Sequence, residues 1–409
     1  MSENSVFDRL SGAEQLRRTL IDAASAARQL AAGVGGEKGA TAAAMTHSWL
    51  FTGPPGSGRS NAARAFAAAL MCTSPTEVGC GTCQNCRDVM ADKHPDLVHV
   101  VPTELSIGVD LMREKVVGPA LALPTLAHWR VIIIEDADRL SDGAANALLK
   151  TVEEPSARTV IMLCAPSTDR RDISVTLRSR CRHVYVPTPS LEDATRILLA
   201  EGGVNEEAAR LAAAATSGHI GRARHLAHSA AAQSRRAQVL HLAELVYHKE
   251  AAFQEVGALV KTVEDEVKTD LAPAEEQELD KLRNAFGAGV KGKGTARMTK
   301  GMETEVKALE AVHKKRQTRA KRDAFDLALI DLAGLYRDAL LKASGASIQL
   351  THPDFDGLST DLAGKNTPEA LTDCLEAINL CRESLGHNVR PVVALSGLVG
   401  RLRKACQVQ

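Results

Sequence analysis

The run WLFTGPPGSGRS, Trp49 to Ser60, constrains this 409-residue chain more than any other feature. It sets an apolar strand (Trp49 to Thr52), a glycine-rich loop and a helix (Asn61 to Leu70) directly in series. Such a loop turns backbone N–H groups towards phosphate oxygens, and the helix that starts there adds positive partial charge. Three further apolar runs, Leu97 to Val101, Val131 to Ile134 and Val160 to Leu163, alternate with helical patterns. That alternation predicts a parallel sheet covered by helices on both faces. Aromatic residues are only 3% of the chain, which favours helix-rich packing over a β-sandwich.

Within the loop, Gly53, Gly56 and Gly58 allow the cradle, and Ser60 stands where a hydroxyl would meet Mg²⁺. Arg59 takes the place of the usual lysine, exchanging a compact ammonium for a broad planar guanidinium. Two readings stay open: a variant loop that binds ATP with Mg²⁺, or a loop that keeps its shape and binds nothing tightly. The second half of such a site is an acidic pair closing a buried strand, and VIIIEDADRL supplies Glu135 and Asp136. In hydrolysing motors of this type Asp comes first, to hold Mg²⁺ through water, and Glu second, to polarise the attacking water. Here the order is reversed. Asp136 is one methylene shorter than the Glu it replaces, and a displacement near 1 Å can cost ~100-fold in rate. The acids are expected to be mis-set for catalysis.

Cys72, Cys80, Cys83 and Cys86 follow the helix with the spacing C-x7-C-x2-C-x2-C. Four potential thiolates on one short insert, filling all four ligand positions with no catalytic His or Glu among them, predict a closed tetrahedral Zn²⁺ site. Unligated thiols are the bland alternative. The other five cysteines, Cys164, Cys181, Cys374, Cys381 and Cys406, are scattered and are expected to be ordinary buried residues. The opening MSENSVFDRL carries neither a basic region nor an apolar core of a signal peptide, and no run of about 18 apolar residues exists. A soluble cytoplasmic protein without a membrane span is expected. Net charge is zero, so any nucleic-acid contact must come from a local patch.

The chain divides into a motif-rich first half and a helical second half. The expected domains are 1–188 (nucleotide-binding, with the zinc module at 72–86), 189–232 (a helical lid opened by Ser190 and Asp193) and 233–409 (a helical bundle). The bundle includes the amphipathic stretch Phe325 to Leu341. A charged insert at about 264–322 reads as two solvated helices joined by the flexible segment GAGVKGKGTAR. Its basic residues, Lys291, Lys293, Arg297, Lys300 and the run Lys314 to Arg322, also allow a different class of function: a zinc-containing nucleic-acid-binding protein with a vestigial phosphate loop.

Taken in series, these motifs resemble the bacterial DNA polymerase III clamp-loader family. The likeness covers roughly the first 230 residues. HSWLFTGPPGSGRS is similar to the family's P-loop strand, and the four cysteines occupy its zinc module. HPDL, Asp110 to Arg113, VIIIEDADRL, ANALLKTVEEP (Ala145 to Pro155) and LRSRC (Leu177 to Cys181) follow in family order. The resemblance implies an AAA+ fold: a P-loop parallel-sheet domain, a small helical lid and an all-α collar that joins subunits into a ring. It implies that Arg180 of the Ser-Arg-Cys motif reaches towards ATP bound by a neighbouring subunit. Sensor positions fall at Ser167 or Thr168 and, in the lid, at Gly221, with Arg222 and Arg224 out of register. With Arg59, Glu135, Asp136 and Gly221 altered and Arg180 kept, the pattern is that of a loader subunit that hydrolyses ATP poorly and completes a neighbour's site. The implied partners are gamma/tau-type and delta-type subunits, the sliding clamp and primed DNA. The chain carries no polymerase active site, and an active gamma/tau-type motor is the alternative within the family.

Overall fold

In a computed structural model the structure describes residues 5–10, 12–33, 45–102, 104–286, 295–387 and 389–408, without the side chains of Arg9 and of 295–301. The expected flexible segment GAGVKGKGTAR lies almost wholly outside the described residues, as do the side chains of Lys291, Lys293, Arg297 and Lys300. The chain divides into two compact units: Met1–Glu201 with Gly218–Arg222, and Gly202–Ser217 with Ala223–Gln409.

In the first unit, helix α1 (Glu14–Ala31) precedes β1 (Ser48–Thr52), α2 (Arg59–Leu70), α3 (Gln84–Met90) and β2 (Leu97–Val100). Next, α4 (Val109–Met112) runs through a π-helical turn (Arg113–Val117) into α5 (Gly118–Ala120). Then come β3 (Arg130–Ile134), α6 (Asp142–Glu153), β4 (Thr159–Ala165), α7 (Val175–Arg178), β5 (Arg182–Tyr185) and α8 (Leu191–Glu201). The strands pair in the order β2-β3-β4-β1-β5, and all are parallel, as the expected parallel sheet requires. Successive strand side chains point to opposite faces. Trp49, Phe51, Ile133 and Met162 therefore pack on the side of α1 and α2, while Leu50, Ile132, Ile134 and Leu163 join a second core with Met112 and Leu148. Each such side chain contributes about 1.5–3 kcal/mol when fully buried.

Two expectations need correction. The sheet does not end at Val160 to Leu163, because β5 follows the LRSRC motif and pairs with β1 from Trp49–Arg182 to Thr52–Tyr185. As an edge strand with only Val184 buried, β5 lacks the continuous apolar run of its neighbours. Nor are the five remaining cysteines all scattered and buried: Cys181 and Cys406 are half-buried, and Cys406 touches Cys374.

The second unit is all-helical. It contains α9 (Glu206–Ala215), most of α10 (Ile220–His228), α11 (Ala230–Leu245), α12 (Lys249–Ala285), α13 (Thr295–Ala343), α14 (Asp356–Lys365), α15 (Pro368–Gly386) and α16 (Pro391–Ala405). Along α13, Phe325, Leu329, Leu332, Tyr336 and Ala339 recur every three or four residues and are buried in one core with α15 and α16. The charged insert is indeed two helices, and polar pairs zip them together. Lys321 meets Glu264 at 3.2 Å, Arg316 and His313 meet Glu278 at 3.1 and 2.8 Å, and Gln317 donates to Glu275 at 2.7 Å. Acidic residues of α12 thus face basic residues of α13. Among the described residues no helix is long and apolar enough to cross a membrane.

Candidate functional site

The phosphate loop leaves β1 and turns into α2 through two glycines in the left-handed region, Gly56 (φ 89°) and Gly58 (φ 84°). At Gly56 there is also no room for a side chain. A Cβ would lie 2.1 Å from Cγ of His219, which rests on the loop within the same unit. Gly58 is the N-cap of α2, so the first N–H groups of that helix open at the loop without intrahelical partners.

Arg59 does not extend freely. Its Nη1 donates to the Gly53 carbonyl at 2.8 Å, and its Nη2 donates to Asp136 Oδ1 at 3.4 Å. Asp136 adopts φ 47° and ψ 50°, a backbone state uncommon for a non-glycine residue, and also pairs with Arg139 at 3.7 Å. Glu135, at the end of β3, faces His99 of β2, whose Nε2 lies 2.8 Å from Oε1. The other ring nitrogen, Nδ1, lies 2.9 Å from Asp92 Oδ1. A ring bonded to carboxylates at both nitrogens favours its doubly protonated form. Burial opposes the charge on His99, but the Glu135 hydrogen bond and the charges of Asp92 and Glu135 raise its pKa above the ordinary imidazole value. Burial would likewise raise Glu135, yet the hydrogen bonds from His99 and Ser60 bring it below the usual carboxylate range. Arg59, Ser60, Glu135 and Asp136 thus come together, each held by groups of its own chain. His219 is pushed down to about 4 by burial and the charge of Arg222, so it is neutral at pH 7.

Arg180 is held elsewhere. Ser174 caps the short helix α7 by accepting from Leu177 N at 3.2 Å, and buried Leu177 anchors the turn that follows. From that turn Arg180 Nε donates to Glu153 Oε2 at 3.0 Å, and Nη1 donates to the Thr176 carbonyl at 3.0 Å. Its side chain remains 32% exposed. Among the described residues its hydrogen bonds go to Glu153, Thr176 and Ser179, not to the phosphate loop or the acidic pair. Ser167, one of the two sensor positions, donates to Asp172 at 2.6 Å. Gly221 sits beside His219, 3.5 Å from a Cβ built at that position to Cε1.

The four cysteines converge. Their sulfurs all lie within 4.8 Å of one another, and Cys72, Cys80 and Cys86 are buried. Cys83 caps α3, with the Cys86 N–H pointing at its sulfur at 3.4 Å, and the Cys83 N–H points at Cys80 Sγ at 3.3 Å. Paired C-x-x-C turns of this kind aim backbone dipoles at sulfur and favour thiolate. The Cys72 thiol is lowered, chiefly by its hydrogen bond with Cys86, against the opposing effect of burial. A tetrahedral metal with M–S of about 2.3 Å needs sulfurs about 3.8 Å apart, and Cys83 and Cys72 stand 4.0 Å apart. The donor set fits a metal ion. The insert is fastened to the core: Arg28 of α1 donates to the Glu77 carbonyl at 3.0 Å, and Gly79 (φ 71°) lies against Val6 and Phe7.

The sequence alone does not mark Asp92, His99 or His219 as part of this site. Their partners are distant in the chain, so no local pattern marks them; the alternation of HPDLVHV along β2 was the one available hint for His99.

Residues 37–190 match the family described as "DNA polymerase III, delta subunit". A DNA polymerase III subunit delta' of Pseudomonas aeruginosa is 37% identical over 146 residues, 35% of this chain and 44% of that protein. The subunit delta' of Escherichia coli is 34% identical over 180 residues, 43% of this chain and 53% of that protein. A DNA polymerase III subunit tau of Bacillus subtilis is 33% identical over 139 residues, 34% of this chain and 24% of that protein. The chain spans about half the length, or less, of these relatives.

Proposed function

We propose that this chain serves as a delta-prime-type subunit of a DNA polymerase III clamp loader, starting from the clamp-loader family that the likeness over residues 37–190 supports. In this reading the chain hydrolyses ATP slowly or not at all and lends Arg180 to the ATP site of a neighbouring gamma/tau-type subunit. The loader, with a delta-type subunit, would place the sliding clamp on primed DNA in the cytoplasm. The proposed domains are those of the sequence reading: 1–188, a lid at 189–232 and a collar at 233–409.

One observation carries the proposal: the cation and both acids of the phosphate-loop site are satisfied internally. Arg59 is engaged with Gly53 and Asp136, and Glu135 with His99. Phosphoryl transfer depends on positioning and on charge free to meet the γ-phosphate. A site that has already neutralised its own charges would have to break those pairs to act. Arg180, by contrast, has a partly exposed guanidinium held by a surface pair with Glu153, which is weak in water. Were ATP and Mg²⁺ bound here, Gly53 to Ser60 would hold the phosphates, with Ser60 and Glu135 at the metal. In the cysteine module, Zn²⁺ held by Cys72, Cys80, Cys83 and Cys86 would supply cross-linking of the fold and no chemistry.

The motor-subunit alternative draws on the tau likeness and on the Ser60–Glu135 hydrogen bond. The nucleic-acid alternative loses support, because Arg316, Arg319 and Lys321 are paired with acids at 3.1 to 3.5 Å. ATPase of the isolated chain separates the first two readings. Turnover well below about 1 per second, the low end for working phosphoryl-transfer enzymes, is expected; turnover at that level would establish a motor.

A further inference from the structure

Outside the site described above, two thiols in the helical unit stand together. Cys374 lies in the middle of α15, fully buried, and Cys406 is the C-cap of α16, half-buried. Their sulfurs are 3.7 Å apart, in van der Waals contact. Closing a disulfide to about 2.05 Å asks for ~1.7 Å of approach. Cys406 can supply that movement, because α16 ends there and the next residue, Gln407, already leaves the helix at φ 55°. Cys381, the other cysteine of α15, sits two helical turns further along, about 10 Å from Cys374 by helix rise.

We propose that Cys374 and Cys406 are a reversible dithiol–disulfide site, in which Cys406 attacks and Cys374 resolves, with a low-molecular-weight disulfide such as oxidised glutathione as oxidant. The two thiols differ in the way this chemistry requires. Cys406 is half-buried where Cys374 is enclosed, and it is lowered to about 7, first by the hydrogen bond from Cys374, against burial, with Tyr247 helping. Cys374 is raised by the same hydrogen bond and by burial, so it keeps its proton until it is needed. An accessible, acidic thiol beside a resolving partner is the arrangement that makes oxidation site-selective. In the first step the Cys406 thiolate attacks one sulfur of glutathione disulfide, whose S–S bond breaks and releases one glutathione thiolate. In the second, Cys374 gives up its proton and attacks Cys406 Sγ, expelling the second glutathione. Two protein thiols are oxidised, one glutathione disulfide is reduced to two thiols, and the protons end on glutathione. The product ties the final helix to α15, at a corner where Tyr247 is fixed by Asn366 at 2.7 Å.

The test uses the full-length, metal-loaded chain equilibrated with glutathione disulfide, then alkylated and mapped by mass spectrometry without reduction. A cross-link between the Cys374 and Cys406 peptides is expected, lost on adding dithiothreitol. Cys374→Ser should instead trap a stable glutathione adduct on Cys406, and Cys381→Ser should behave as wild type. The oxidised wild type should also lose its C-terminal residues to carboxypeptidase more slowly than the reduced form, a difference absent in Cys374→Ser. Alkylation of both residues as free thiols after exposure to the oxidant would overturn the proposal. So would a wild-type adduct on Cys406 that never resolves, or a cross-link that joins either residue to another cysteine.

Discussion

The phosphate loop and the cysteine insert lie in the same unit, separated in sequence by α2, and their polar groups are arranged in opposite ways. Around the loop the cation and both acids have partners within the chain: Arg59 with Asp136, Glu135 with His99, and His99 in turn with Asp92. In the insert four sulfurs point at one another, supported by backbone N–H groups. Four thiolates crowded together repel one another unless a cation sits among them. Groups paired with their opposites need nothing further. A site that needs a ligand gathers groups of one kind, whereas one that has become self-sufficient pairs its own opposites.

The largest effect should follow from removing what the insert lacks internally. Purified under conditions that do not strip metal, the chain is expected to hold about one zinc, and Cys86→Ala to hold essentially none. Because binding and folding are coupled in such modules, chelation should expose residues near 72–90 to protease while the sheet survives. Metal content below about half an equivalent in fresh wild type would break the comparison at its stronger end.

Next in size is Arg180→Ala in a reconstituted loader. An arginine finger stabilises charge on the transferred phosphoryl group and is worth about 10³–10⁵ in rate, roughly 4–7 kcal/mol at the barrier. ATP turnover at the affected interface should fall by about 10³ or more, with total clamp-stimulated ATPase falling less if other interfaces keep their own fingers. Size exclusion must first show normal assembly. An assembled variant that loads clamps at the wild-type rate would remove the finger assignment.

A smaller effect is expected from Arg59→Lys. The ammonium cannot bridge Gly53 and Asp136 as the forked guanidinium does, so the loop is partly released. Nucleotide affinity measured by calorimetry should rise, by about tenfold or less, with the isolated chain still failing to turn over. Robust hydrolysis by this single variant would show that self-pairing was the sole obstacle.

The smallest effect is a pH dependence. His219 titrates near 4 in the folded chain because it is buried beside Arg222, whereas an unfolded histidine titrates near 6.5. Between those values the unfolded chain binds a proton that the folded chain refuses, so stability falls as pH drops through this window. His352, in the helical unit, is lowered to about 4 by burial and Arg236 and acts in the same direction. His99 acts in the opposite sense. Raised above its unfolded value, it contributes fully below about 6.5 and loses that contribution as pH rises through its folded pKa. Thermal melts at pH 7 and 5 should differ less for His219→Gln than for wild type; an unchanged difference would remove His219 as a contributor.

The sequence revealed those parts of the fold whose signal is local. β1, β3 and β4 have continuous apolar centres and β2 is apolar but for His99, and Ser190 and Asp193 open α8 as their spacing implies, with Asp193 N donating to Ser190 Oγ at 3.0 Å. β5 was hidden because an edge strand needs only one buried face, and Arg182, His183 and Tyr185 carry no apolar pattern. In the candidate site, residue identities were readable and their engagements were not. Nothing near Glu135 in the chain announces His99, and nothing near Gly56 announces His219. The cysteine spacing worked because ligands of a metal must lie close in space, and here they also lie close in sequence.

The strand order has a consequence for how the chain comes into being. β1 carries the phosphate loop yet sits between β4 and β5, the last two strands to be made. As the chain emerges from the ribosome, β2 can find β3 early, but β1 has no neighbour until nearly the whole unit has been synthesised. For that interval Trp49, Leu50 and Phe51 are an unpaired apolar edge, the kind of segment that draws chaperones and seeds aggregates. Such long-range parallel pairing also folds slowly. Truncation before Arg182 would therefore remove more than an edge strand: it would leave the oldest part of the sheet permanently open on one side.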